Sequence, residues 1–93
     1  MFELNDTIRD IENNTATEIA LSHQNIGDSG VERIALALRN NTRLATLHLW
    51  DNNIGADGVR ALASSLEHNT SLVTLYLEGN NIGADGARAL ASS

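Results

Sequence analysis

The sequence predicts an α/β solenoid, a short horseshoe segment with a parallel sheet on its concave face and helices on its convex face. Three observations carry that prediction. Asn25-Ile26-Gly27 recurs as Asn53-Ile54-Gly55 and Asn81-Ile82-Gly83, 28 residues apart each time, and a constant period between about 20 and 50 residues marks a stacked array of supersecondary units. The stretch LWDNNIGADGVRALASS at 49–65 returns at 77–93 as LEGNNIGADGARALASS, changed at three places in seventeen. Within each unit an apolar period of two gives way to a helical period, so each unit reads as a strand followed by a helix.

The first element is a helical cap over residues 1–13. Leu4, Ile8 and Ile11 form an apolar stripe that Phe2 extends, with Glu3, Asp6, Asp10 and Glu12 as the wet face. Asn5 and Asp6 are the N-cap candidates, and the Leu4–Ile8 pair has the spacing of a hydrophobic staple. Three repeats follow at 14–41, 42–69 and 70–93, the last incomplete. In the second, Leu47 and Leu49 alternate with His48 as a short strand requires; in the third, Leu75 and Leu77 do so around Tyr76. Ile54, Val59, Leu62 and Leu66 then fall at helical spacings, with Asp57 in the first turn where a carboxylate suits the helix dipole. His68 and Asn69 close that helix. Asn52 and Asn80 stand where the chain leaves the strand, and an amide there can bond the backbone of adjacent coils in a ladder, because buried turn backbone must be paired. Glu32, Arg60 and Arg88 are equivalent helix positions that stack along the convex side as a solvated face, with Glu32 and Arg60 able to pair.

The repeats spell L-x-x-L-x-L-x-x-N-x-L from Leu44 and again from Leu72, while Ala16, Ile19, Leu21, Gln24 and Ile26 hold those places in a degenerate first copy. From about residue 14 onward the chain resembles a leucine-rich-repeat protein. The 28-residue period, with Gly58 and Gly86 ahead of RALASS, is similar to the ribonuclease-inhibitor-like subtype also found in NOD-like receptors. Mammalian ribonuclease inhibitors are cysteine-rich and much longer, whereas this chain has no cysteine. The resemblance implies the horseshoe fold and a protein-interaction role, and leaves the ligand open.

Composition narrows the function classes. A chain of 93 residues buries only roughly 60 to 65% of its unfolded surface, so its core needs a staple. With no cysteine, neither disulfides nor a Cys/His zinc set supplies one. Six arginines, no lysine and twelve acidic residues give a net charge of −6, which argues against nucleic acid or an anionic membrane as partner and for a neutral or basic protein. The charged N-terminus lacks the apolar core of a secretory signal, and no run is long enough to span a membrane, so the expected location is cytoplasmic. The sequons at Asn5, Asn13, Asn40 and Asn69 are read as turn and cap chemistry.

Stacked strands lie about 4.8 Å apart, so the concave face can be written as columns. The third position holds Glu18, Thr46 and Thr74, and the fifth Ala20, His48 and Tyr76. The seventh holds Ser22, Trp50 and Glu78, and the eighth His23, Asp51 and Gly79. Residues 42–65 and 70–93 differ at six positions, of which His48/Tyr76, Trp50/Glu78 and Asp51/Gly79 lie on this one face. The frame is kept and the face is varied. The expected partner-binding set is therefore Glu18, Ser22, His23, Thr46, His48, Trp50, Asp51, Thr74, Tyr76 and Glu78, with Trp50 and Tyr76 as diagonal aromatic neighbours at its centre.

Catalysis has a weaker case. Ser22, His23 and Asp51 supply triad residue types, and His23, His48, Asp51 and Glu78 supply metal-ligand types. Successive strand residues turn their side chains apart, however, and an open concave face encloses no water-poor cavity. No enzyme activity and no cofactor are expected. The alternative to concave-face binding is an assembly role, or a piece of a longer repeat protein, in which Leu72, Leu75, Leu77, Ile82, Ala87 and Leu90 of the third repeat pair two copies as a homodimer.

Overall fold

Alternating apolar strands and amphipathic helices can bury both sets of side chains only by stacking in two layers. The computed structural model of the chain describes residues 3–91, with side chains through Leu90; the packing expected of Phe2 lies outside the described residues. Helix α1 (Leu4–Glu12) is followed by β1 (Glu18–Ala20), α2 (Gly27–Leu38), β2 (Thr46–His48), α3 (Ala56–Leu66), β3 (Thr74–Tyr76) and α4 (Gly83–Ala91). The strands form one parallel sheet in the order β1-β2-β3, and each helix packs on the next. Glu18 pairs with Thr46 and Thr46 with Thr74; Ile19, Leu47 and Leu75 form the next row, and Ala20, His48 and Tyr76 the third. Every step is 28 residues, the period of the sequence, so the third- and fifth-position columns stand as written.

The core lies between sheet and helices. Leu44, Leu47, Leu49, Ile54, Val59 and Leu62 of the middle repeat are fully buried together with Val31, Ile34 and Leu38, and each such side chain contributes about 1.5–3 kcal/mol by leaving water. Their third-repeat counterparts Leu72, Leu75, Leu77, Ile82 and Leu90 are only partly buried, packed on one side.

Hydrogen bonds supply the staple. Asn52, fully buried, accepts from Gln24 N–H (2.9 Å) and Ile26 N–H (3.3 Å) and donates to Leu21 O (2.9 Å) and Trp50 O (3.0 Å). One coil up, Asn80 accepts from Asn52 N–H (2.8 Å) and Ile54 N–H (3.0 Å) and donates to Leu49 O (2.7 Å) and Leu77 O (3.0 Å). A second ladder runs ahead of the strands. Asn69 donates to Leu38 O (2.8 Å) and Asn41 O (3.0 Å), and Asn41 donates to Ile11 O (2.7 Å). Each also takes the N–H three residues on, Leu72 and Leu44 respectively.

Two local expectations change, and one helix cap is new. Helix α1 begins at Leu4 with Glu3 as an N-cap that makes no side-chain bond, so Asn5 and Asp6 lie inside the first turn instead of capping it. Leu4 is drawn onto the core over Gly30, whose added Cβ would stand 3.3 Å from Leu4 Cδ2, and apolar burial outweighs a cap worth about 1 kcal/mol. Glu32 is not the partner of Arg60. Arg60 pairs with Asp57 one turn back and stands 4.0 Å from Asp85, since positions three apart face each other on a helix. Finally, α3 is capped from the neighbouring coil: Asp28 accepts from Gly55 N–H (2.7 Å) and Gly58 N–H (3.2 Å).

Candidate functional site

Alternation along β2 turns Leu47 inward and leaves Thr46 and His48 half-buried on the concave side. The sheet pairing runs past the strand ends: Leu21 N–H donates to His48 O and Leu49 N–H to Tyr76 O (both 2.9 Å), then His23 N–H to Trp50 O (3.0 Å) and Asp51 N–H to Glu78 O (2.9 Å). The seventh and eighth columns therefore line up as the third and fifth do. At the eighth the backbone turns left-handed, with φ of 60° at His23, 53° at Asp51 and 76° at Gly79. Histidine and aspartate are among the side chains that tolerate this region. Gly79 also makes room, because a Cβ there would come within 1.6 Å of Asp51 Oδ1. Asp51 thus leans across the third coil while its other oxygen, Oδ2, reaches His23 Nε2 at 3.3 Å.

At the centre of the face three rings meet. His48 stacks on Tyr76 with centroids 4.8 Å apart and planes 8° from parallel. Trp50 stands edge-on to both, 5.8 Å and 67° from His48 and 5.9 Å and 75° from Tyr76. Contacts of these two geometries are worth about 0.5–1.5 kcal/mol each beyond burial. The diagonal Trp50–Tyr76 contact was legible in the columns; the role of His48 as the ring that joins them was not. His48 is fixed from its other side by Glu18, Nε2 to Oε2 at 2.7 Å. Trp50 remains 38% exposed. Thr74 and Ser22 flank the rings half-buried, and Glu78 is exposed.

The groups weighed for catalysis separate into pairs. His23 meets Asp51 and His48 meets Glu18, Ser22 makes no hydrogen bond to His23, and no three metal-ligating side chains converge among the described residues. Among those residues no helix is long and apolar enough to cross a membrane.

Two other surfaces stand out. On the convex side Leu36 is 67% exposed between open grooves of about 420 and 270 Å³, bordered by Arg33 and Arg39. On the outer face of the third coil, Leu72, Leu75, Leu77, Ile82 and Leu90 are half-buried and Ala87 is exposed. The N–H groups of Leu77, Gly79, Asn80 and Ile82 have no acceptor among the described residues, although their counterparts at Leu49, Asp51, Asn52 and Ile54 all bond to the next coil.

The family pattern described as Leucine Rich repeat matches residues 12–35, 40–63 and 68–91. No curated protein sequence matches the chain. Among solved structures, the chain is similar to one described as Leiomodin-1 Actin-Binding Site 2 (ABS2), with a TM-score of 0.89 and 22% sequence identity over 97% of this chain and 54% of that one. It spans about half the length of that structure, and at this identity the likeness is one of fold.

Proposed function

Because the chain belongs to the leucine-rich-repeat family, matched by three successive units, we propose that it is a non-catalytic protein-interaction module that binds its partner on the concave face. The observation that carries this reading is the ring cluster of His48, Trp50 and Tyr76, with Trp50 partly open to solvent. Binding hot spots are enriched in tryptophan and tyrosine set among polar groups that exclude water. The positions that vary between the second and third repeats support it too, since half of them fall on this face. Glu18, Asp51 and Glu78 favour a neutral or basic partner. That the similar solved structure is described as an actin-binding site supports a protein as the class of partner. The 28-residue period supports the ribonuclease-inhibitor-like subtype.

Peptides selected from a random display library against the immobilised protein test this reading. Most are expected to compete with one another and to lose about 2 kcal/mol or more of affinity on Trp50→Ala with Tyr76→Ala, while circular dichroism stays unchanged. Binders that ignore this double variant but are lost on Leu36→Asp would move the function to the convex side.

A second reading, self-association through the third coil, is favoured by the four N–H groups that find no acceptor among the described residues, beside its half-buried leucines. Helix α1 covers the opposite end with Ile8 and Ile11 buried beneath it, so two copies meet like face to like face in a two-fold homodimer. Light scattering after gel filtration is expected to show twice 10.0 kDa, falling to one chain on Leu90→Arg. A folded wild-type chain that stays at the single mass across micromolar concentrations rules the dimer out.

A further inference from the structure

Trp50 and Glu78 hold the same position in neighbouring coils. The bond from Asp51 N–H to Glu78 O (2.9 Å) keeps the two chains at ordinary strand spacing, about 4.8 Å. The His48 and Tyr76 rings stack face to face, and the partly exposed indole of Trp50 stands steeply inclined to both, so that Trp50 and Glu78 border one corner of the face. Of the three carboxylates on this face, Glu18 is engaged by His48 and Asp51 by His23. Glu78 is exposed, with no ion pair and no side-chain hydrogen bond among the described residues. None of the six arginines stands in the four outward columns, and among the described residues the two histidines that do are held by Asp51 and Glu18.

We propose that this corner takes the side chain of an arginine carried on an extended segment of the partner, a refinement that rests on the concave-face reading. A guanidinium satisfies both halves of the corner at once. Its plane stacks on an indole, and its fork of N–H donors matches a carboxylate in two parallel bonds. A lysine ammonium offers charge alone, on a compact and strongly hydrated head. In an extended segment alternate side chains face one way, so an arginine at every second residue presents the group repeatedly to the face.

Trp50 is the only tryptophan of the chain, so its emission reports contact with the corner directly. The probes are the peptide Ac-Arg-Gly-Arg-Gly-Arg-amide and its lysine and citrulline counterparts, titrated at low salt. The arginine peptide is expected to change Trp50 emission saturably and to bind about 2- to 5-fold more tightly than the lysine peptide, the size of a cation–π contact at an exposed site. The neutral citrulline peptide should bind most weakly. Glu78→Gln should weaken arginine binding by about 1.5- to 5-fold, and Trp50→Leu, followed by amide chemical shifts, should abolish the preference for arginine over lysine. Both variants are read beside circular dichroism, and both positions are open enough to solvent to spare the fold. Equal affinities for arginine and lysine overturn the proposal, as does arginine binding that leaves Trp50 emission unchanged or ignores Glu78→Gln. If display-selected peptides still depend on Trp50 and Tyr76 while arginine gives no advantage, the arginine site falls and the concave-face reading stands.

Discussion

Asn52→Ala is expected to remove a large part of the stability of the fold. The side chain is fully buried and ties four backbone groups of two coils together. Alanine takes the partner from Gln24 N–H, Ile26 N–H and Leu21 C=O, while Trp50 O keeps its bond from His23 N–H; each orphaned group costs about 1–3 kcal/mol where water cannot reach it. Even with partial relaxation the loss comes to about 3–5 kcal/mol. A domain of this size has about 5–14 kcal/mol in all, so the melting temperature should fall by about 15–30 °C. Asn81→Ala, at an exposed position nearby, should change stability by no more than about 0.5 kcal/mol. Thermal unfolding followed by circular dichroism separates the two, and a fall of only a few degrees for Asn52→Ala would show that the ladder is not what staples the coils.

Gly58→Ala carries the second large effect, with a sign opposite to helix propensity. Replacing glycine by alanine inside a helix ordinarily stabilises by about 0.5–1 kcal/mol. Here the added Cβ would stand 2.6 Å from Asp28 Oδ1, 2.7 Å from Val31 Cγ1 and 2.9 Å from Ile54 Cγ2. Val31 and Ile54 are fully buried and cannot swing aside, and Asp28 can retreat only by giving up the cap of α3. Overpacking of this kind costs about 1–3 kcal/mol, so the melting point drops. Gly86 is the internal control: its closest contacts would be 3.0 Å to Ile82 Cβ and 3.6 Å to Val59, and alanine there should lie within about 1 kcal/mol of the wild type. A rise in melting temperature for Gly58→Ala would contradict the close packing of α3 on α2.

What the sequence disclosed and what it withheld divide on a physical line. The 28-residue period has no insertion or deletion between Asn25 and Gly83, so equivalent residues had to stack, and the sheet register and concave columns followed. Asn52 and Asn80 were legible because an amide at a strand exit has few other uses. The cap that Asp28 lends to α3 was not legible, because in sequence it sits in the first turn of its own helix, as Asp57 does, and Ala56 and Ala84 hold its place in the later repeats. The Asn41 and Asn69 ladder hid behind ordinary helix-end chemistry. The start of α1 was misread because side-chain oxygens signal a cap locally, whereas Leu4 is drawn in by a residue 26 positions away. His48 joins two aromatic residues through ring orientation, which no spacing encodes.

The central claim is that the ring cluster of the concave face is where a protein partner docks. Amide chemical-shift mapping of the isotope-labelled protein with a display-selected peptide tests it most directly. The account predicts that the largest shifts gather on Thr46, His48, Trp50, Asp51, Tyr76 and Glu78, with the Trp50 indole N–H among the most displaced. Shifts gathered instead on Arg33, Leu36 and Arg39, with the Trp50 indole unmoved, would contradict it.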